Sequence, residues 1–256
     1  SNDVAVLTIA ADWRSRGGGK VQVDGPPIPR LAAKDPMPAE LRLGQRLFYS
    51  ANSAELPLTQ NFWVSCASCH IEGRSDGVTW LFSQGPRDTP SNAGGTRGTG
   101  FLLRTAGRNT VTQYDETIRV EQGGDVDDRR PQDHALLLAL TAYVDRAIPL
   151  PRSPERDVVT GALSAAAQRG QGVFRRLGCD ACHSGPRYTD SGAGNPTLAL
   201  SGPLQLHDVG TCNKGQTPDR PAPAYDGSPR EACLFDTPSL NGVLDSAPYF
   251  HDGSAA

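Results

Sequence analysis

The sequence predicts a mainly α fold with extensive loops, built as two similar domains behind a short strand-like N-terminal arm. Three observations predict it. A five-residue pattern occurs twice, as Cys66-Ala67-Ser68-Cys69-His70 and as Cys179-Asp180-Ala181-Cys182-His183. Each copy follows a helix-like stretch closing on Gly-Gln-x-x-Phe, at 44–48 and again at 170–174. With 28 Gly and 21 Pro among 256 residues, much of the chain must be turn and loop.

Taken in order, Val4-Ala5-Val6-Leu7-Thr8-Ile9 reads as a strand, and Gly17-Gly18-Gly19 and Pro26-Pro27 keep regular structure from continuing past it. Residues 1–35 therefore form an arm outside both domains. Ala39-Glu40-Leu41-Arg42-Leu43 leads an amphipathic helix into Gly44-Gln45-Arg46-Leu47-Phe48. Leu163-Ser164-Ala165-Ala166-Ala167 does the same before Gly170-Gln171-Gly172-Val173-Phe174, which makes an internal repeat. The glycine lets such a helix cross close to a partner, and the phenylalanine supplies an apolar edge. Cys66 follows Phe48 by 18 positions, whereas Cys179 follows Phe174 by 5, so copy one carries a 13-residue loop insertion, Tyr49 to about Asn61. The stretch from Asp133 to Val144 reads as a helix with Asp133 as its N-cap. Ile148-Pro149-Leu150-Pro151-Arg152-Ser153-Pro154 is a stiff linker. Domain one then spans 36–148 and domain two 155–256.

The repeated pattern carries the chemistry. C-x-x-C-H is the attachment pattern for haem c. Two residues between the cysteines let both sulfurs reach the vinyl groups on one porphyrin edge. The adjacent histidine turns under the ring and binds the iron. Two haem c groups are expected, one on Cys66 and Cys69 with His70 as iron ligand, the other on Cys179 and Cys182 with His183. A zinc site and a redox dithiol are the alternatives. Zinc would gather the four cysteines and leave the histidines surplus, and a dithiol needs no histidine there.

Cys212 and Cys233 bracket a loop rich in Pro, Asp and Arg. A disulfide closing it is the first reading, worth about 3 kcal/mol on the chain-entropy model; two free buried thiols are the other. Haem attachment and a disulfide both point to a periplasmic or extracellular compartment. The net charge of −3 offers no nucleic-acid surface. No run of 18 apolar residues is present, so no membrane span is expected. Ser1-Asn2-Asp3-Val4 opens without a basic or apolar leader, as expected of a chain whose export signal has been removed or of a piece of a longer one.

The order of parts resembles the bacterial di-haem cytochrome c peroxidase and MauG superfamily, across about 36–256. Pro38 to Phe48 is similar to its first helix, and 133–144 resembles the closing helix of a cytochrome c domain. Cys66 to His70, then Arg87-Asp88-Thr89-Pro90-Ser91, resembles its first haem loop. Cys182-His183-Ser184-Gly185-Pro186, then Leu206-His207-Asp208-Val209-Gly210, resembles the second. Phe235-Asp236-Thr237-Pro238-Ser239-Leu240-Asn241-Gly242-Val243 and Ala247-Pro248-Tyr249-Phe250-His251-Asp252-Gly253-Ser254 carry the most specific likeness. The arm resembles the last strand of a β-propeller blade, which would make it the remnant of a preceding domain. The chain also departs from the family. Thr105-Ala106-Gly107-Arg108 stands where the family has Trp before Asp-Gly-Arg. Gln113 and Glu121 are the nearest counterparts of the family's Gln and Glu over the peroxide-binding haem; the other reading is that both face solvent. Trp80 is expected to be a buried packing residue; the other reading stands it near the haems.

The only methionine, Met37, precedes both motifs, so neither haem is a His/Met centre within this chain. His134 is expected at a helix start, and the resemblance gives His207 and His251 loop-shaping roles. In the family the second haem's outer ligand lies in a helix after Phe-His-Asp-Gly. The sequence stops at Ala256, before that helix, so the expectation is a truncated chain or a haem left open or differently capped. The resemblance implies a peroxidase-like oxidoreductase reducing peroxide at the first haem, with electrons supplied through the second by a redox partner protein. The alternatives are a non-catalytic electron-transfer module of a larger extracytoplasmic protein, associated with further domains or chains, and a MauG-like oxidase of a protein partner.

Overall fold

The computed structural model describes residues 7–9, 21–23, 35–51, 58–59, 63–191, 204–214 and 217–255. Ser1–Ala39 and Glu40–Ala256 are separate compact units. In the first, β1 (Leu7–Ile9) pairs antiparallel with β2 (Val21–Val23), Leu7 opposite Val23. Val4 to Val6, the glycine run 17–19 and Pro26-Pro27 lie outside the described residues, as do 52–57 and 60–61 of the expected insertion.

Helices are the main regular structure. α1 (Ala39–Tyr49) and α4 (Pro131–Arg146) build the core of the larger unit, with α2 (Cys66–Cys69) and α3 (Asp115–Val120) between them in sequence. Leu47 and Phe48 of α1 meet Leu137, Leu140, Tyr143 and Val144 of α4 in one buried apolar cluster. The Phe48 and Tyr143 rings lie 5.4 Å apart. Gly44 sits at the crossing: a Cβ there would stand 2.0 Å from the Ala139 carbonyl oxygen, so only glycine permits this approach.

α4 starts earlier than expected. Arg130 occupies the cap position and Pro131 the first turn, where its fixed φ and missing N–H cost nothing. Asp133 is therefore not the cap. Its carboxylate lies inside the first turn and accepts from Asp127 N–H at 3.0 Å and from Arg130 Nε at 2.6 Å. His134 is half exposed beside it, with Nδ1 2.9 Å from Asp128 Oδ1.

α5 (Ala165–Arg176) opens the second copy, with the Ser164 hydroxyl capping it through Ala167 N–H. It repeats the sequence pattern of α1 but buries none of its residues, and a Cβ on Gly170 would meet nothing within 4 Å.

No described strand exceeds four residues. β3 (Thr79–Phe82) and β4 (Gly85–Asp88) form a hairpin. Trp80 is 39% exposed on it and donates from Nε1 to Asp76 Oδ2 at 2.9 Å, so the expected burial is not found. The hairpin's inner strand is the wholly buried β4, which leaves β3 on the outside. β5 (Leu206–His207) pairs antiparallel with β8 (Phe235–Asp236), and β6 (Ala222–Pro223) with β7 (Pro229–Arg230). Cys212 and Cys233 are joined, with Cα atoms 5.1 Å apart.

Candidate haem sites

The first motif is a short helix. Ser65 precedes it, and a capping box with Ser68 satisfies its first N–H groups. His70 follows as the C-cap, its N–H donating to the Cys66 carbonyl at 2.8 Å. Cys66 packs against the apolar core, and burial pushes its thiol up to about 11. A redox dithiol needs the opposite shift, toward the thiolate. Burial also lowers the His70 pKa, against the pull of Asp76 and of the Arg74 and Pro90 backbone, which favours the neutral imidazole that binds metal. Asn92 Nδ2 lies 3.4 Å from His70 Nδ1.

The second motif is a 3-10 turn, Cys179–Ala181, entered through Gly178 in the left-handed region. His183 Nδ1 lies 2.9 Å from the Tyr188 carbonyl oxygen. A carbonyl only accepts, so Nδ1 carries a proton and Nε2 is the nitrogen left for a metal. That is the tautomer a metal-binding histidine takes when its other nitrogen is fixed from behind. Both motifs thus offer two cysteines on one turn and an adjacent histidine, the donor set that haem c requires. Among the described residues the cysteines of the two motifs do not gather into a four-sulfur site, as the zinc reading would demand.

The residues expected around the first haem are held differently. Gln113 closes a 3-10 turn (Val111–Tyr114), and its Oε1 accepts from Asn109 N–H at 2.7 Å. It borders a small cavity with Asn109, Tyr225 and Arg230. Glu121 stands exposed at the end of α3; desolvation by its neighbours pushes its carboxyl up, against Arg108 and with Glu116 adding to the rise. Among the described residues no hydrogen bond joins Gln113 to Glu121. Arg108 is buried, and its Nη2 reaches Glu116 Oε2 at 2.9 Å.

His251 is buried, stacked 3.9 Å from the Phe235 ring. Its Nε2 lies 3.1 Å from Asp219 Oδ2 and its Nδ1 3.0 Å from Thr211 Oγ1. Arg87 Nη1 donates to the other Asp219 oxygen at 2.6 Å. His207 Nε2 lies 2.8 Å from Asp190 Oδ2, and donor atoms of Cys182, Asp190 and His207 fall within 4.8 Å of one another. Asp190 and the carbonyl of Tyr188 were not among the expected site residues. Their only signal in the sequence is closeness to His183, within seven positions of it.

No family model matches the chain. It is 28% identical over 98% of its length to the hydrazine synthase subunit gamma of Kuenenia stuttgartiensis, of which it covers 77%. It is 29% identical over 90% of its length to the cytochrome-c peroxidase IdrP1 of Denitromonas iodatirespirans, covering 73% of that protein. Among solved structures it is similar to a MauG-like protein associated with microbial copper homeostasis. There the TM-score is 0.57 at 25% identity, over 89% of this chain and 74% of the other.

Proposed function

The chain belongs to the di-haem cytochrome c peroxidase and MauG superfamily, and we propose that it carries two haem c groups and reduces peroxide at the first with electrons delivered through the second. When bound, haem c supplies peroxide cleavage and one-electron storage. Cys66 and Cys69 hold the first group and His70 binds its iron; Cys179, Cys182 and His183 do the same for the second. The Tyr188 carbonyl orients the His183 ring. Glu121, its carboxyl raised, holds a proton closer to neutral pH than a free glutamate would, and Gln113, its Oε1 taken by Asn109 N–H, has its amide N–H to offer. Domains 36–148 and 155–256 each carry one group. The thioether and disulfide chemistry favours a periplasmic or extracellular setting and a protein redox partner.

One observation carries this reading. No methionine lies between His70 and Cys179, and His134, His207 and His251 each face a carboxylate partner. The chain therefore supports an open iron at His70. Electron paramagnetic resonance of the oxidised protein should show one high-spin signal, and the reduced protein should bind carbon monoxide. Glu121→Gln should slow peroxide turnover by roughly 100-fold or more. Two low-spin signals, with no response to carbon monoxide or peroxide, would overturn the proposal.

The exposed position of Glu121 favours a second reading, a non-catalytic electron-transfer module of a larger protein. The likeness to a MauG-like structure favours a third, an oxidase of a protein partner. Unchanged peroxide turnover in Glu121→Gln removes that residue from the proton path.

A further inference from the structure

Beside the second motif, Asp190, His207 and Asp236 bring two carboxylates and one imidazole together. Asp236 is 7% exposed, and its Oδ1 has no hydrogen-bond partner; Asp190 Oδ1 has none either. His207, next to the Leu206 that pairs with Asp236, bonds the remaining oxygen of Asp190. The Ser191 hydroxyl donates to the Gln205 carbonyl at 3.1 Å and stands beside the Asp236 carboxyl.

The charged groups facing Asp236 come from three segments. Asp190 lies on the loop after the second motif, His207 on β5, and Arg104 on the loop whose carbonyl accepts Asp236 N–H. Arg104 is already committed: Nε donates to Asp88 Oδ1 at 2.8 Å, and Nη2 pairs with Asp88 Oδ2. Burial and the neighbouring Asp190 charge both disfavour the ionised Asp236 carboxyl. Donor atoms of Asp190 and His207 lie within 4.8 Å of Cys182 Sγ.

We propose that the Asp190–His207–Asp236 cluster takes up one proton as the second haem is reduced and releases it on oxidation. The inference rests on attachment at Cys179 and Cys182 and does not depend on peroxide chemistry. An external one-electron donor delivers an electron to the ferric iron, and water delivers a proton to the Asp236 carboxylate, so the local charge is conserved. Desolvation, with Asp190 adding to it against Ser191, Arg104 and His207, brings the Asp236 carboxyl to about 7, which puts the exchange in the neutral range.

The test is a spectropotentiometric titration of the full di-haem protein from about pH 5.5 to 8.5. The second-haem wave is identified by its loss in Cys179→Ser/Cys182→Ser. Its potential should fall as pH rises, and Asp236→Asn should flatten that slope while leaving the first haem's potential in place. Asp190→Asn should weaken the slope too, and it decides the matter if Asp236→Asn does not fold. A pH-independent potential in the wild type, or a slope kept in both variants, overturns the proposal. Failure to find covalent haem at the second motif by denaturing gel stain would instead overturn the attachment reading.

Discussion

An aspartate in an unfolded chain titrates near 3.9, whereas burial brings Asp236 to about 7 in the fold, with the Asp190 charge adding to the rise. The folded state therefore binds this proton more tightly between those two values. Its contribution is full at pH below about 4 and is lost as pH rises through about 7. Each tenfold gain in proton affinity is worth about 1.4 kcal/mol, so the effect is on the order of 4 kcal/mol. Thermal midpoints should decline between pH 5 and 8, and Asp236→Asn should remove most of that decline. A midpoint that climbs over this range in the wild type would contradict the raised carboxyl. The sequence marked Asp236 only as part of a family-like stretch. Its partners arrive from positions 104, 190 and 207, and no local pattern announces a cluster assembled across such distances.

At the scale of elements, α1 and α5 carry the same Gly-Gln-x-x-Phe sequence in opposite surroundings. The first is pressed against α4, and the second is exposed along its length. Gly44→Ala should cost about 1–3 kcal/mol or more, because backbone and not a flexible side chain fills the space. Gly170→Ala should instead stabilise by roughly 0.5–1 kcal/mol, as expected for glycine inside an uncrowded helix. Chemical denaturation of the two variants reads the contrast directly, and equal losses would show that α5 is crossed as closely as α1. These helices were legible because apolar residues recur with the helical period and because glycine marks the crossing. The start of α4 was misplaced because Asp133 looks like a cap, while the proline two residues earlier sets the real one. The β3–β4 hairpin and the β5–β8 pair were not legible. The hairpin's outer strand exposes its large apolar residues, and a two-residue strand is too short to show alternation.

At the scale of the whole larger unit, the chain from Arg187 onward makes bonds back to the first half. Tyr225 N–H donates to the Gly107 carbonyl at 2.9 Å, Arg220 N–H to Gln84, and Arg187 Nη1 to Gly94 at 3.0 Å. The buried Arg87–Asp219 pair ties β4 to the disulfide loop, and His251 joins the same carboxylate from near the end of the described chain. Truncating one partner of such a pair costs roughly 3–5 kcal/mol, because the other charge is left buried and alone. The proline stretch 149–154 is, by contrast, mostly exposed and crosses none of these contacts.

Continuity of the backbone at that stretch is therefore dispensable once the fold has formed. A protease site placed at Arg152–Ser153 should give two bands on a denaturing gel but a single peak of undiminished size on a sizing column. Two fragments expressed separately should find each other in solution, behaving as a split protein whose halves recombine through Asp219. If the cut pieces elute apart, the fold-back contacts do not hold the halves together.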